Sequence, residues 1–233
     1  MSEARQDILL GIRRSLKRGR LDMVREAELR EQIALHRRNL VPARAATLGD
    51  RGRGDLFVAM AEEVQATVTR VSSPVAVLEE VARYLVAENL PAEIVLAPDP
   101  SLDDLPWDER PLLRIRRGRA EAGDAVSLTP CFAAIAETGT LMLISGAATP
   151  TTLNFLPDTH IVLVHADQVV AAYEDGWDRL RSAGAMPRVV NFITGPSRTG
   201  DIEQRIELGA HGPRRLHIIL INDRRIAGDG EDK

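Results

Sequence analysis

The sequence predicts an α/β fold, a sheet flanked by helices, with an N-terminal helical arm. Three observations predict it. TLMLIS (140–145), HIVLVHA (160–166), VVNFITG (189–195) and RLHIILI (215–221) are apolar runs of strand length, and runs apolar on both faces are what the central strands of a helix-covered sheet require. LFVAMAEEVQATV (56–68) and AVLEEVARYLVAENL (76–90) carry apolar residues at helical spacing. Residues 3 to about 45, by contrast, are charged throughout and hold only a thin apolar stripe, with Ile8, Ile12 and Leu16 at helical intervals.

In chain order, the arm spans 1–50, and DRGRGD (50–55) reads as a loop by its glycines and charges. The α/β domain spans 51–225, and a disordered tail is expected over 226–233. After the two helices, EIVLAP (93–98) is a strand stopped by proline, and LLRIRR (112–117) and VSLT (126–129) are further strands. DQVVAAYEDGWDRLRSAG (167–184) is the clearest helix, with Asp167 as N-cap and Gly184 past its end. Lying between two strands, it reads as a right-handed βαβ crossover. Strand 189–195 runs into Gly195-Pro196-Ser197, and a helix over DIEQRIEL is expected to start near Gly200 and stop at Gly209.

Composition removes several function classes. The net charge of −4 gives no basic face for nucleic acid. No apolar run approaches the ~20 residues that span a bilayer, and the first residues lack the continuous apolar segment of a secretory signal. A cytoplasmic location is expected. Lys17 and Lys233 are the only lysines among 30 basic residues, so a Schiff-base or Walker-type lysine has almost nowhere to sit. Cys131 stands alone, which leaves no cysteine set for a cluster or zinc and reads as a buried thiol. His160 and His165 are an odd number of residues apart on one strand, on opposite faces. No metal and no cofactor are expected.

Two segments could carry chemistry. In PCFAAIAETGTLMLIS (130–145), Glu137 interrupts an apolar stretch and is followed by Thr138, Gly139 and Thr140. A carboxylate there must be paired, hydrogen-bonded or facing a cleft. It is either a structural pin that accepts backbone N–H groups or a general base, nucleophile or ligand-binding group. In GPSRTGDIE (195–203), free N–H groups at a helix start would attract an anion, yet Asp201 and Glu203 already supply negative charge to that dipole. Gly195, Ser197, Arg198 and Thr199 remain ligand-binding candidates, Arg198 as a partner for a carboxylate. Asn154 in the Thr- and Pro-rich loop 149–161 and His211 beside a Gly-Pro turn complete the set.

AAIAETGTL (133–141), LNFLPDTHIVLV (153–164), ITGPSRTGDIE (193–203) and LGAHGPRRLHIIL (208–220) together resemble the lactate-utilisation branch of the LUD domain family. The likeness spans roughly residues 75 to 222. Gly200 departs from it, standing where the family usually has alanine, which loosens a helix start by about 1 kcal/mol. The resemblance implies a NagB/RpiA/CoA-transferase-like fold. It also implies a cluster-free part in oxidising L-lactate to pyruvate, alongside an iron–sulfur subunit and a cysteine-rich subunit, with a small carboxylate as possible ligand. Analogy within that fold group leaves two alternatives open. One is an independent enzyme on a thioester or sugar phosphate that uses Glu137; the other is a small-molecule sensor module.

Overall fold

The computed structural model describes residues 3–38, 41–199 and 207–222. The chain divides after residue 40 into two compact units. The first unit contains α1 (Glu3–Ser15) and α2 (Met23–Leu35), neither of which has a buried residue. Asp22 caps α2 by accepting from the Arg25 N–H at 2.8 Å.

The second unit opens with α3 (Ala43–Ala46) and α4 (Asp50–Glu63). The expected loop at 50–55 is therefore the first turns of α4. Its two glycines disfavour helix by about 1 kcal/mol each, but Phe57 and Ala61 are wholly buried on the same helix, and that burial outweighs the propensity. β1 (Thr67–Val71), α5 (Pro74–Ala87), β2 (Glu93–Leu96), β3 (Arg114–Arg117) and β4 (Val126–Pro130) follow. Ser73 caps α5, with Pro74 in its first turn, where a missing N–H costs nothing.

β5 (Ala133–Ile135) and β6 (Thr140–Ile144) form a hairpin, and β7 (Thr159–His165) returns to the parallel strands. β8 (Val169–Val170), α6 (Tyr173–Ser182), β9 (Val190–Ile193), β10 (Arg198–Thr199), β11 (Glu207–Leu208) and β12 (Arg215–Ile221) complete the order. Six strands make a wholly parallel sheet in the order β1-β12-β7-β4-β2-β3. β8, β5, β6 and β9 make a second, mixed sheet, and β10 and β11 an antiparallel ribbon.

Four expectations are corrected. The apolar runs at 140–145 and 189–195 belong to the second sheet, not to the parallel one. The segment 167–184 is not one helix: Val169 and Val170 are a strand, and Ala172, not Asp167, stands at the N-cap of α6. β7 and β9 lie in different sheets, so no βαβ crossover joins them. The helix start expected near Gly200, and the tail at 226–233, lie outside the described residues; Glu207 and Leu208, read as the end of that helix, are β11.

Strand alternation explains the layering. Ile161 and Leu163 of β7, with Ile219 and Ile221 of β12, face α5 in one core. Val162, Val164, Leu216, Ile218 and Leu220 face the other way, against α4 and the second sheet. Met142 and Ala133 on the outer face of the second sheet pack with Leu180 of α6. Each such aliphatic side chain, fully buried, contributes roughly 1.5–3 kcal/mol.

Candidate functional site

Helix α4 ends against two glycine turns. Gly139, at φ +63°, packs so closely that a Cβ would lie 2.3 Å from the Ala61 nitrogen. Gly195, at φ +74°, would place one 2.4 Å from the Val64 carbonyl oxygen. Both positions combine a left-handed backbone with direct backbone-on-backbone contact, so only glycine fits. Arg198 donates to that same Val64 oxygen at 3.1 Å, a cation on the carbonyl end of the helix as the dipole favours.

The Glu137 turn is held by its main chain. Its N–H donates to the Ala171 carbonyl at 3.1 Å, and the Arg44 guanidinium donates to its carbonyl. Among the described residues no hydrogen bond or ion pair reaches its carboxylate. Beside it, four hydroxyls form a connected set. Thr140 Oγ1, completely buried, lies 2.7 Å from Thr138 Oγ1, 3.0 Å from the Tyr173 hydroxyl and 2.7 Å from Thr194 Oγ1. With one donor and two acceptor sites, Thr140 is saturated by these three contacts. Thr194, at the exposed end, keeps spare capacity.

Thr194 also lines a cavity of about 280 Å³. The wall is built from segments distant in sequence: Asn154 before β7, His160 within it, Gly195, Ser197 and Arg198 after β9, and His211 before β12. Ser197 stitches two of them together. Its N–H donates to Pro213 O at 2.8 Å, its carbonyl accepts from Gly209 at 3.0 Å, and its hydroxyl accepts from the His211 N–H at 3.3 Å. Five expected binding residues thus converge, whereas Glu137, Thr138, Gly139 and Thr140 are outside the cavity lining and reach it only through the Thr140–Thr194 contact. Thr199 contributes backbone to β10.

A family model described as the LUD domain matches residues 54–221. The chain belongs to the LUD domain family. Proteins named lactate utilization protein C resemble this LUD chain. One from Deinococcus radiodurans is 38% identical over 120 residues, 51% of this chain and 54% of its own length. One from Bacillus subtilis is 34% identical over 103 residues, 42% of this chain and 43% of its own. The chain thus spans about half the length of the curated relatives it matches. A crystal structure of a DUF162 family protein from Deinococcus radiodurans shares the fold of this LUD domain, with a TM-score of 0.55 at 24% identity, covering 75% of this chain and 99% of that one.

Three residues of the LUD domain, His160, Tyr173 and Thr194, were not singled out as site residues in the sequence. His160 is wholly buried, its Nε2 is 2.8 Å from Thr129 Oγ1, its Nδ1 has no partner, and burial pushes its pKa down to about 3. Tyr173 and Thr194 carry no motif of their own; the pairing of β9 with β6 brings Thr194 to Thr140, and the start of α6 brings Tyr173. Cys131 is buried, its thiol pushed up to about 12 by burial, so it is inert at neutral pH. Among the described residues no group of three or more His, Cys, Asp or Glu side chains is placed to hold a metal ion, and no helix is long and apolar enough to cross a membrane.

Proposed function

We propose that this LUD chain is a component of a lactate-utilisation system and binds a small carboxylate in the cavity beside His160. The observation that carries the reading is the convergence of Asn154, Ser197, Arg198 and His211, from separate motifs, on that one cavity. Arg198 and Ser197 supply donors suited to a carboxylate. The names of the relatives supply the physiological context. With a single cysteine, itself buried, the chain has no thiolate set of its own for an iron–sulfur cluster. The electrons of L-lactate oxidation therefore pass, in this reading, through iron–sulfur and cysteine-rich partner subunits, and the present chain binds and positions the organic acid, in the cytoplasm.

The test is co-purification followed by assay. The chain is expected to draw down the iron–sulfur subunit, and L-lactate oxidation is expected from the complex but not from the isolated chain. Lactate oxidation by the isolated chain with an artificial electron acceptor would overturn the reading.

A further inference from the structure

Phe155 lines the cavity beside Ser197 and Arg198, and a ligand the size of L-lactate gives its ring nothing to do. The chain has four Phe, two Trp and two Tyr, and Phe155 alone among them is exposed, at 43%. A single apolar residue on an open surface needs no reason. A phenyl ring at the rim of a cavity is different, because ligand sites pair a few placed polar groups with an apolar wall. Gly212, on the same lining, shows how near the ring stands to those polar groups. A carbon added to Gly212 would lie 3.5 Å from Ser197 Cβ, 3.9 Å from Ser197 Oγ and 3.8 Å from Phe155 Cδ1. The ring edge and the Ser197 side chain thus border the same space over one glycine, within the span of one small ligand.

The volume points the same way. About 280 Å³ is room for roughly nine waters at ~30 Å³ each. The heavy atoms of L-lactate, bonded closer together than separate waters, displace fewer than roughly six of them. With its carboxylate on Ser197 and Arg198, L-lactate has one methyl group left to offer, and the Phe155 ring stays wet. We propose that the cavity takes 2-hydroxy carboxylates with an aromatic or branched apolar body in preference to L-lactate, the carboxylate held by Ser197 and Arg198 and the body laid on Phe155. The inference rests on the reading that this cavity is the carboxylate site. Phe155 is its specificity-determining residue: covering the ring removes apolar surface from water, and an aromatic body adds a ring–ring contact. The polar head of such an acid is that of L-lactate, so the apolar body alone carries the preference.

The experiment is calorimetry on the full chain, with L-lactate and L-3-phenyllactate as probes. Phenyllactate should bind about tenfold more tightly or better, the share of a ring taken out of water. Phe155→Ala should bring the two acids within about threefold of each other by weakening phenyllactate, with L-lactate affinity little changed. Gly212→Ala adds a methyl group that meets only ordinary contacts, so it should melt normally and weaken phenyllactate more than L-lactate by narrowing the space between Ser197 and Phe155. Leu156→Ala, the exposed neighbour outside the lining, should change neither affinity. Equal or tighter binding of L-lactate, phenyllactate affinity that survives Phe155→Ala, a loss in Leu156→Ala as large as in Phe155→Ala, or binding of neither acid would each overturn the inference. Should a variant fail to fold, the two affinities of the unaltered chain still decide. A growth assay on L-lactate reads the functional proposal separately. A chain required for growth that shows no preference for phenyllactate sinks this inference alone, and a dispensable chain that prefers phenyllactate through Phe155 sinks the functional proposal alone.

Discussion

Gly139 and Glu137 are two positions apart, and their roles separate cleanly. A methyl group at 139 meets the backbone of Met60 and Ala61 and must also adopt φ +63°. Gly139→Ala is therefore expected to destabilise by about 2–4 kcal/mol, backbone strain and overpacking together, seen as a lower urea midpoint with an unchanged slope. Glu137→Gln should behave oppositely. Its turn is pinned through the main chain, so the melting temperature should move by no more than a degree or two, and L-lactate oxidation by the complex should be unaltered. A variant that keeps its stability but abolishes lactate oxidation by the complex would instead give the carboxylate a catalytic part. The sequence marked Glu137 as anomalous because a carboxylate among apolar residues needs a reason. It could not show that backbone groups, not the side chain, secure the turn.

At the scale of elements, α4 is the piece on which the site is assembled, and its start was the segment read least well. Glycines and charges at 50–55 argue locally for a loop, and only the burial of Phe57 and Ala61, a tertiary effect, makes it helical. Most strands, by contrast, were legible because the parallel sheet buries both faces of β7 and β12, which leaves an unbroken apolar run in the sequence. The second sheet was not, since β6 and β9 are apolar in the same way and nothing local says which sheet an apolar strand will join. The convergence of Asn154 with Ser197 and His211 was likewise invisible; hydrogen bonds between turns tie Ser197 to His211 and Pro213, and Asn154 arrives from the segment before β7. Arg198 bridges the two scales. Exposed and bonded to a terminal carbonyl of α4, it should contribute no more than about 1 kcal/mol to stability, so Arg198→Ala should leave thermal melting nearly unchanged while lowering L-lactate oxidation by the complex.

For the molecule as a whole, two buried histidines set the acid limit. His160 is pushed down to about 3 by burial, and His217 to about 4, chiefly by burial and against the pull of Glu80. His217 Nδ1 is 2.8 Å from Thr67 Oγ1, its ring stacks on Tyr84 at 4.0 Å, and its Nε2 approaches Glu80 Oε1 at 3.0 Å without the alignment of a hydrogen bond. Burial alone would raise the Glu80 carboxyl, but hydrogen bonds from Arg83 and Thr69 with His217 nearby hold it below its ordinary value. Both histidines are depressed in the fold, so the unfolded chain binds more protons as pH falls below about 6.5, and stability is lost from there toward pH 4 and 3. By pH 5 the loss relative to neutral pH should be about 2 kcal/mol per histidine, measurable as a falling urea midpoint; Glu80 adds its own loss only below its ordinary range. Growth tests the central claim, that the motif-built cavity serves lactate utilisation, most directly. A strain whose own copy carries Ser197→Ala and Arg198→Ala together, with the protein folded and present at normal level, should fail to grow on L-lactate while growing normally on pyruvate. Normal growth on both would contradict the account.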